Sequence, residues 1–262
     1  MPRSSPEPAP RTMPLVFVGR ARELAWLDQW LGASQPPTQV ALLQGIGGIG
    51  KSTLLRRMAD RARAAGAAVA ILDLEMTGLA PASLLKHLNG QLPAPSGARA
   101  DAAGRLLIAI DHYDDVNRID DWVRAELLPQ CPARGCLIVV ASRHGLPDWW
   151  RDDPSWACRI RRFPLQPLTD AEVRELLGRS GVTGNLREAD LEALVRTAHG
   201  LPLALAVRAN HPELPLDTGA VPFGITARLF REVTDPGLET VLDALAVLHH
   251  ADQDLLGACL EQ

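Results

Sequence analysis

The residues Gly45-Ile46-Gly47-Gly48-Ile49-Gly50-Lys51-Ser52-Thr53 have the types and spacing needed to hold a polyphosphate. They fit the pattern G-x-x-x-x-G-K-[ST], the P-loop. Gly45, Gly47, Gly48 and Gly50 let the backbone curl until successive N–H groups, that of Ile49 included, point inward as an anion nest. A helix beginning at Lys51 adds the positive end of its dipole. The Lys51 ammonium reaches the β- and γ-phosphates, the Ser52 hydroxyl is a ligand for Mg²⁺, and Thr53 completes the turn. Lysine is scarce here. Lys and Arg total 27, and Lys51 and Lys86 are the only lysines.

A second group of residues suits the cation that accompanies such a ligand. The apolar run LLIAI (106–110) ends in Asp111. A carboxylate at the C-terminal edge of a buried strand can hold Mg²⁺, usually through water. His112 stands where many ATPases place a second acid. Asp114, Asp115 or neither polarises the attacking water, and the same two carboxylates also suit a helix N-terminus. Arg143 ends the run CLIVVASR, where it can face a γ-phosphate and report it by a bidentate contact. Lys51, Asp111, Asp114 and Arg143 are therefore the catalytic candidates.

Strands must carry these loops. Short apolar runs at 40–44, 68–75, 106–110 and 136–141, with a short basic one at 159–165, alternate with helical patterns at 21–31, 51–65, 80–91 and 120–128, the last stopping at Pro129. Strands apolar throughout and separated by helices predict an α/β fold: a parallel sheet sandwiched by helices, spanning 15–165. Beyond it the signals are helical. Thr169 and Glu172 form a capping box, and helices are expected to Arg179, over 187–199 and over 201–209. A small helical domain is thus predicted at 166–210, and a further unit with helices at 225–232 and 236–249 within 211–262. Residues 1–14, with five prolines, read as a disordered leader.

Composition narrows the function classes. Hydrophobic residues at 47% and charged residues at 22% make a globular chain. A net charge of −4 argues against a non-specific nucleic-acid binder or a membrane-surface protein. No apolar run approaches the length of a membrane span, so a cytoplasmic protein is expected. Cys131, Cys136, Cys158 and Cys259 lack zinc spacing and are expected as small buried hydrophobes. Trp149, Trp150 and Trp156 suit either a partner surface or packing of the helical domain on the sheet. RIRRF (159–163) reads as a solvated basic strand edge. His249 and His250 read as an exposed helix end.

Four segments in order, FVGR (17–20), GIGGIGKST (45–53), LLIAID with VVASR (106–111, 139–143) and GLPLAL (200–205), resemble the STAND class of P-loop ATPases. That class is related to the AAA+ ATPases and includes the NB-ARC proteins. The resemblance implies an ASCE-type sheet, a helical lid and a winged-helix unit, here partial because the sequence stops at Gln262. It implies that Val18, Gly19 and Arg20 line the adenine pocket, that Arg143 senses the γ-phosphate, and that Pro202 packs near base and ribose. It further implies ATP or ADP as ligand, with Mg²⁺, between sheet, lid and N-terminal segment, and a nucleotide-controlled signalling switch with slow hydrolysis and protein partners or self-association. The Asp-His pair at 111–112 departs from the usual acidic pair. The alternatives are an AAA+-like motor or loader acting on nucleic acid or protein, and a nucleotide-binding scaffold without turnover.

Overall fold

The computed structural model describes residues 16–77, 81–92, 104–114, 116–181 and 187–210. The leader, Asp115, Cys259, the His249–His250 pair and the 211–262 unit lie outside the described residues. The chain divides into two compact units: Gly19–Gln166, and a second made of Met1–Val18 with Pro167–Gln262.

In the first unit the five expected strands form one sheet. They are β1 (Gln39–Gln44), β2 (Ala68–Asp73), β3 (Leu106–Asp111), β4 (Cys136–Ser142) and β5 (Ile160–Pro164). The order is β2-β3-β4-β1-β5 and every pairing is parallel. All seven β4 residues are buried, as expected for a central strand covered on both faces. Side chains alternate strictly. Val40, Leu42, Ile108, Ile110, Ile138 and Val140 share one apolar cluster with Tyr113, Trp122 and Trp150. The intervening residues face the other way.

α1 (Ala21–Gly32) and α2 (Lys51–Ala64) are neighbours, and α2 packs on the sheet. α2 buries Leu54, Leu55, Met58, Ala59 and Ala62, an i, i+3, i+4 stripe. Full burial of each large side chain in that stripe contributes about 1.5–3 kcal/mol. α3 (Leu74–Thr77) and α4 (Pro81–Gln91) lie beside β2.

Three local expectations are corrected. β2 ends at Asp73 rather than at 75, because the Asp73 carboxylate accepts from Glu75 N at 3.2 Å and turns the chain into α3. The helix predicted to stop at Pro129 runs through it: α5 (Val116–Trp122) passes into a π-helical stretch (Val123–Leu127) and then α6 (Leu128–Gln130). Proline is tolerated near the start of that new turn, where an N–H has no required partner. Of the cysteines, Cys136 is buried, Cys131 half-buried and Cys158 exposed, so the expectation of burial fails at Cys158, which follows the surface helix α8 (Pro154–Ala157).

The tryptophans pack within the first unit. Trp150, on α7 (Trp149–Asp152), is fully buried, and Trp149 and Trp156 sit partly buried on the same cluster. They gather around Asp120, which accepts hydrogen bonds from Tyr113 Oη at 2.6 Å, from Trp150 Nε1 at 3.3 Å and from Trp149 Nε1. β5 is an edge strand, with Arg161 and Arg162 exposed.

The second unit holds α9 (Asp170–Arg179), α10 (Glu188–Thr197) and α11 (Pro202–Asn210). The capping box at Thr169 is present, with Glu172 N donating to Thr169 Oγ1 at 3.3 Å and Thr169 N to Glu172 Oε2 at 2.8 Å. Val18, Leu168, Val173, Leu177, Leu194 and Leu205 share its core. Gly200 has φ +68°, and a Cβ there would lie 2.8 Å from the Leu168 main-chain nitrogen, so glycine is required.

Candidate nucleotide site

β1 delivers its last residue, Gln44, to the P-loop. Gly45 N then donates to Ser142 O at 3.3 Å, which ties the start of the loop to the end of β4. Gly48 and Gly50 have φ of +76° and +97°, so the loop needs residues without a Cβ at both positions. Gly50 occupies the N-cap of α2 and no side chain caps that helix. An uncapped helix start wrapped by a glycine loop is the arrangement that receives an anion through main-chain N–H groups. Lys51 Nζ folds back over the loop, donating to Gly45 O at 2.7 Å and Ile46 O at 3.1 Å. Gly47, Ile49 and Thr53 lie in the same turn and helix start.

Beneath the loop, Ser52 Oγ donates to Asp111 Oδ1 at 3.0 Å, and His112 N donates to the same oxygen at 3.1 Å. Asp111 is 2% exposed and its Oδ2 has no hydrogen-bond partner. A buried carboxylate oxygen without a partner is costly. A hydroxyl and a carboxylate are the hard oxygen donors that Mg²⁺ takes, so Ser52 and Asp111 fit that ion.

The neighbouring strand ends carry more polar groups. Asp73 is the register partner of Asp111. His112, at φ +57°, places Nδ1 3.0 Å from Asp73 Oδ1 and Nε2 3.5 Å from Glu75 Oε2. Asp114 accepts from Ser142 Oγ at 3.1 Å and Arg143 N at 2.6 Å through Oδ1, and pairs through Oδ2 with Arg143 Nε at 3.2 Å. Ser142 is fully buried. Sequence reasoning missed Asp73, Glu75 and Ser142. Asp73 and Ser142 carried one usable signal: polar residues closing apolar strands at the C-terminal edge of a parallel sheet.

Arg20 caps α1 at φ +59°. Its guanidinium donates to Ile49 O at 2.8 Å and Gln166 O at 2.7 Å, so it ties the P-loop to the segment after β5. Gly19, at φ +74°, precedes it. Val18 is buried in the core of the second unit, and Pro202 is the first residue of α11 in that unit. The structure therefore brings together Gly45–Thr53, Asp111, Asp114, Arg143 and Arg20, and assigns Val18 and Pro202 to the other unit.

No protein-family model matches the chain, and no curated protein matches it. Solved structures do resemble it. RuvB of Thermotoga maritima, in a single-site variant, is 16% identical over 94% of this chain and 70% of its own, with a TM-score of 0.51. Drosophila ORC bound to DNA is 18% identical over 92% of this chain and 80% of its own, at a TM-score of 0.49. AMPPCP-bound DnaA of Aquifex aeolicus is 14% identical over 93% of this chain and 85% of its own, at 0.47.

The fold is that of the AAA+ P-loop ATPases, with the sheet order and helix placement described above. Among the described residues no helix is long and apolar enough to cross a membrane.

Proposed function

We propose that the chain is a nucleotide-controlled switch of the STAND type, binding ATP or ADP with Mg²⁺ and hydrolysing ATP slowly. One observation carries this most: an uncapped α2 start enclosed by a glycine loop, directly above the Ser52–Asp111 pair whose buried Oδ2 lacks a partner. When bound, Mg²⁺ would neutralise phosphate charge next to Ser52 and Asp111. The protein's own groups do the rest. Main-chain N–H groups of the loop bind the phosphates, and Lys51 leaves its carbonyl contacts to take phosphate oxygens. Arg20 ties the loop to the segment after β5.

Slow turnover follows from the residue after Asp111. His112 faces Asp73 and Glu75 rather than continuing an acidic pair. Differential affinity for the two nucleotides would drive the switch, with protein partners or self-association as its output. On this reading the unit from 166 to 210 is a lid. Val18, Gly19, Arg20 and Pro202 take part in binding the base. Pro202→Ala measures that last assignment by its effect on ADP affinity.

The experiment that tests the proposal identifies nucleotide released from purified protein by denaturation, then measures ADP and ATP binding by calorimetry and turnover for wild type and Asp111→Ala. Bound adenine nucleotide with slow turnover that Asp111→Ala abolishes is the expected result. A protein that is empty and gives no binding heat with any adenine or guanine di- or triphosphate overturns it. If Lys51→Ala abolishes binding but leaves oligomeric state and signalling untouched, the chain is a scaffold and not a switch.

A second reading, a motor or loader acting on nucleic acid, is favoured by Arg161 and Arg162, exposed on the edge strand β5. It predicts fast turnover stimulated by DNA.

A further inference from the structure

Asp114 binds one residue twice. Its carboxylate takes the main-chain N–H of Arg143 at 2.6 Å and the side-chain Nε of the same arginine at 3.2 Å, and also holds the buried Ser142 hydroxyl at 3.1 Å. All three donors lie at the C-terminal end of β4. That strand runs between β1, which carries the P-loop, and β3, which carries Asp111. The register Gln44↔Ser142 puts Arg143 one step further along, level with Gly45, and the Gly45 N to Ser142 O bond fixes that level. On the other side Tyr113 N donates to Ala141 O at 3.0 Å, so the segment carrying Asp114 is fastened to β4 as well. Arg143 therefore stands at the junction of the phosphate loop and the metal carboxylate.

We propose that Asp114 is a positioning residue, which sets the Arg143 guanidinium so that the site prefers a nucleoside triphosphate over a diphosphate. This rests on the nucleotide-binding reading above and assigns Asp114 a role other than polarising water. Its Oδ1 already accepts two hydrogen bonds and its Oδ2 an ion pair, all directed at the end of β4. An arginine head held from its Nε end has surrendered rotamer freedom before any ligand arrives. Contact with a γ-phosphate then costs less ordering, which is how preorganisation raises affinity. A diphosphate ends short of this contact and gains nothing from it.

The test is calorimetry with Mg²⁺ and either ADP or a non-hydrolysable ATP analogue, on wild type, Asp114→Asn, Arg143→Ala and the double variant. The expected result is that Asp114→Asn lowers the triphosphate-to-diphosphate affinity ratio about tenfold, the scale of one charged hydrogen bond, with ADP affinity little changed. In the Arg143→Ala background the same substitution should lower the ratio no further, because its effect passes through Arg143. An unchanged ratio, a raised ratio, or losses that simply add would each overturn the proposal. Should Asp114→Asn not fold, Arg143→Lys makes the same measurement, since it keeps the charge and lacks Nε. Wild type that binds neither nucleotide overturns the site itself. Wild type that binds both, with a ratio insensitive to Asp114 and Arg143, overturns only this role.

Discussion

The two sides of the candidate site are built on opposite principles. At the end of β1 the chain supplies main chain: glycines at φ +76° and +97°, an uncapped helix start, and Lys51 resting on two carbonyls. At the ends of β2, β3 and β4 it supplies side chains that bind one another, His112 with Asp73 and Asp114 with Ser142 and Arg143, while Tyr113, just past β3, reaches Asp120 on α5. On the reading proposed above, the first side grips any polyphosphate with little chemical discrimination, and the second tells terminal groups apart, because each side chain there has a partner to exchange. Asp111 belongs to both, through Ser52 on one hand and the His112 N–H on the other.

The comparison breaks most sharply at Lys51. If the β1 side does the gripping, Lys51→Ala should weaken both ADP and ATP about a hundredfold, the scale of charge-assisted bonds to phosphate. Calorimetry would show it. Retained micromolar binding of both nucleotides would move the grip to the side-chain face.

Gly50→Ala tests the main-chain geometry with no charge involved. The φ of +97° forces an alanine into strained backbone, at about 1–3 kcal/mol. Chemical denaturation should report that loss, and nucleotide affinity should fall with it because the loop carbonyls and N–H groups move. An unperturbed variant would mean the loop conformation is not what the binding site requires.

Asp111→Asn probes the shared residue. It removes a buried charge whose Oδ2 lacks a partner, so the metal-free protein should unfold at a temperature no lower than wild type. The gain in ATP affinity on adding Mg²⁺ should disappear. A variant that still responds to Mg²⁺ as wild type does would place the ion elsewhere.

The contrast also explains what the sequence revealed. The main-chain side was legible because curling a backbone round phosphate demands glycine at set positions, a local requirement that leaves a local pattern. The sheet was legible for a similar reason: buried parallel strands are apolar on both faces, as in CLIVVA. The side-chain face joins residues far apart in the chain, and Asp73–His112 and Asp114–Arg143 cannot be paired until the strand order sets β3 between β2 and β4. Asp114 was visible as a carboxylate near Asp111, but nothing local assigns its partner. Pro129 misled because a proline inside a helical pattern normally marks an end, whereas here the π-helical stretch ends at Leu127 and Pro129 falls in the first turn of α6. Family likeness singles out Arg20 for the base pocket, and its hydrogen bonds to Ile49 O and Gln166 O, 29 and 146 positions away, leave no local signal.

The smallest expected effect is the most specific to the side-chain face. Tyr113 is the chain's one tyrosine, and it is 1% exposed. Burial, then the hydrogen bond to the Asp120 carboxylate, then the repulsion of that charge hold its phenol above the ordinary range. The folded protein therefore keeps Tyr113 protonated where the unfolded chain, near pH 10, begins to lose the proton. Stability contributed by this group is complete below about pH 10 and declines as pH rises further, because ionisation favours the unfolded state. Tyr113→Phe removes that decline. At neutral pH the substitution should cost about 1 kcal/mol, since Asp120 loses one donor but keeps Trp149 and Trp150. Denaturation curves of the two proteins between neutral and alkaline pH should therefore converge as pH rises past 10. Because the chain has a single phenol, tyrosinate absorbance follows the same group directly. A folded protein whose tyrosine titrates at the ordinary value would mean that the Tyr113–Asp120 contact, and the β3 to α7 packing built round it, does not hold the side-chain face in place.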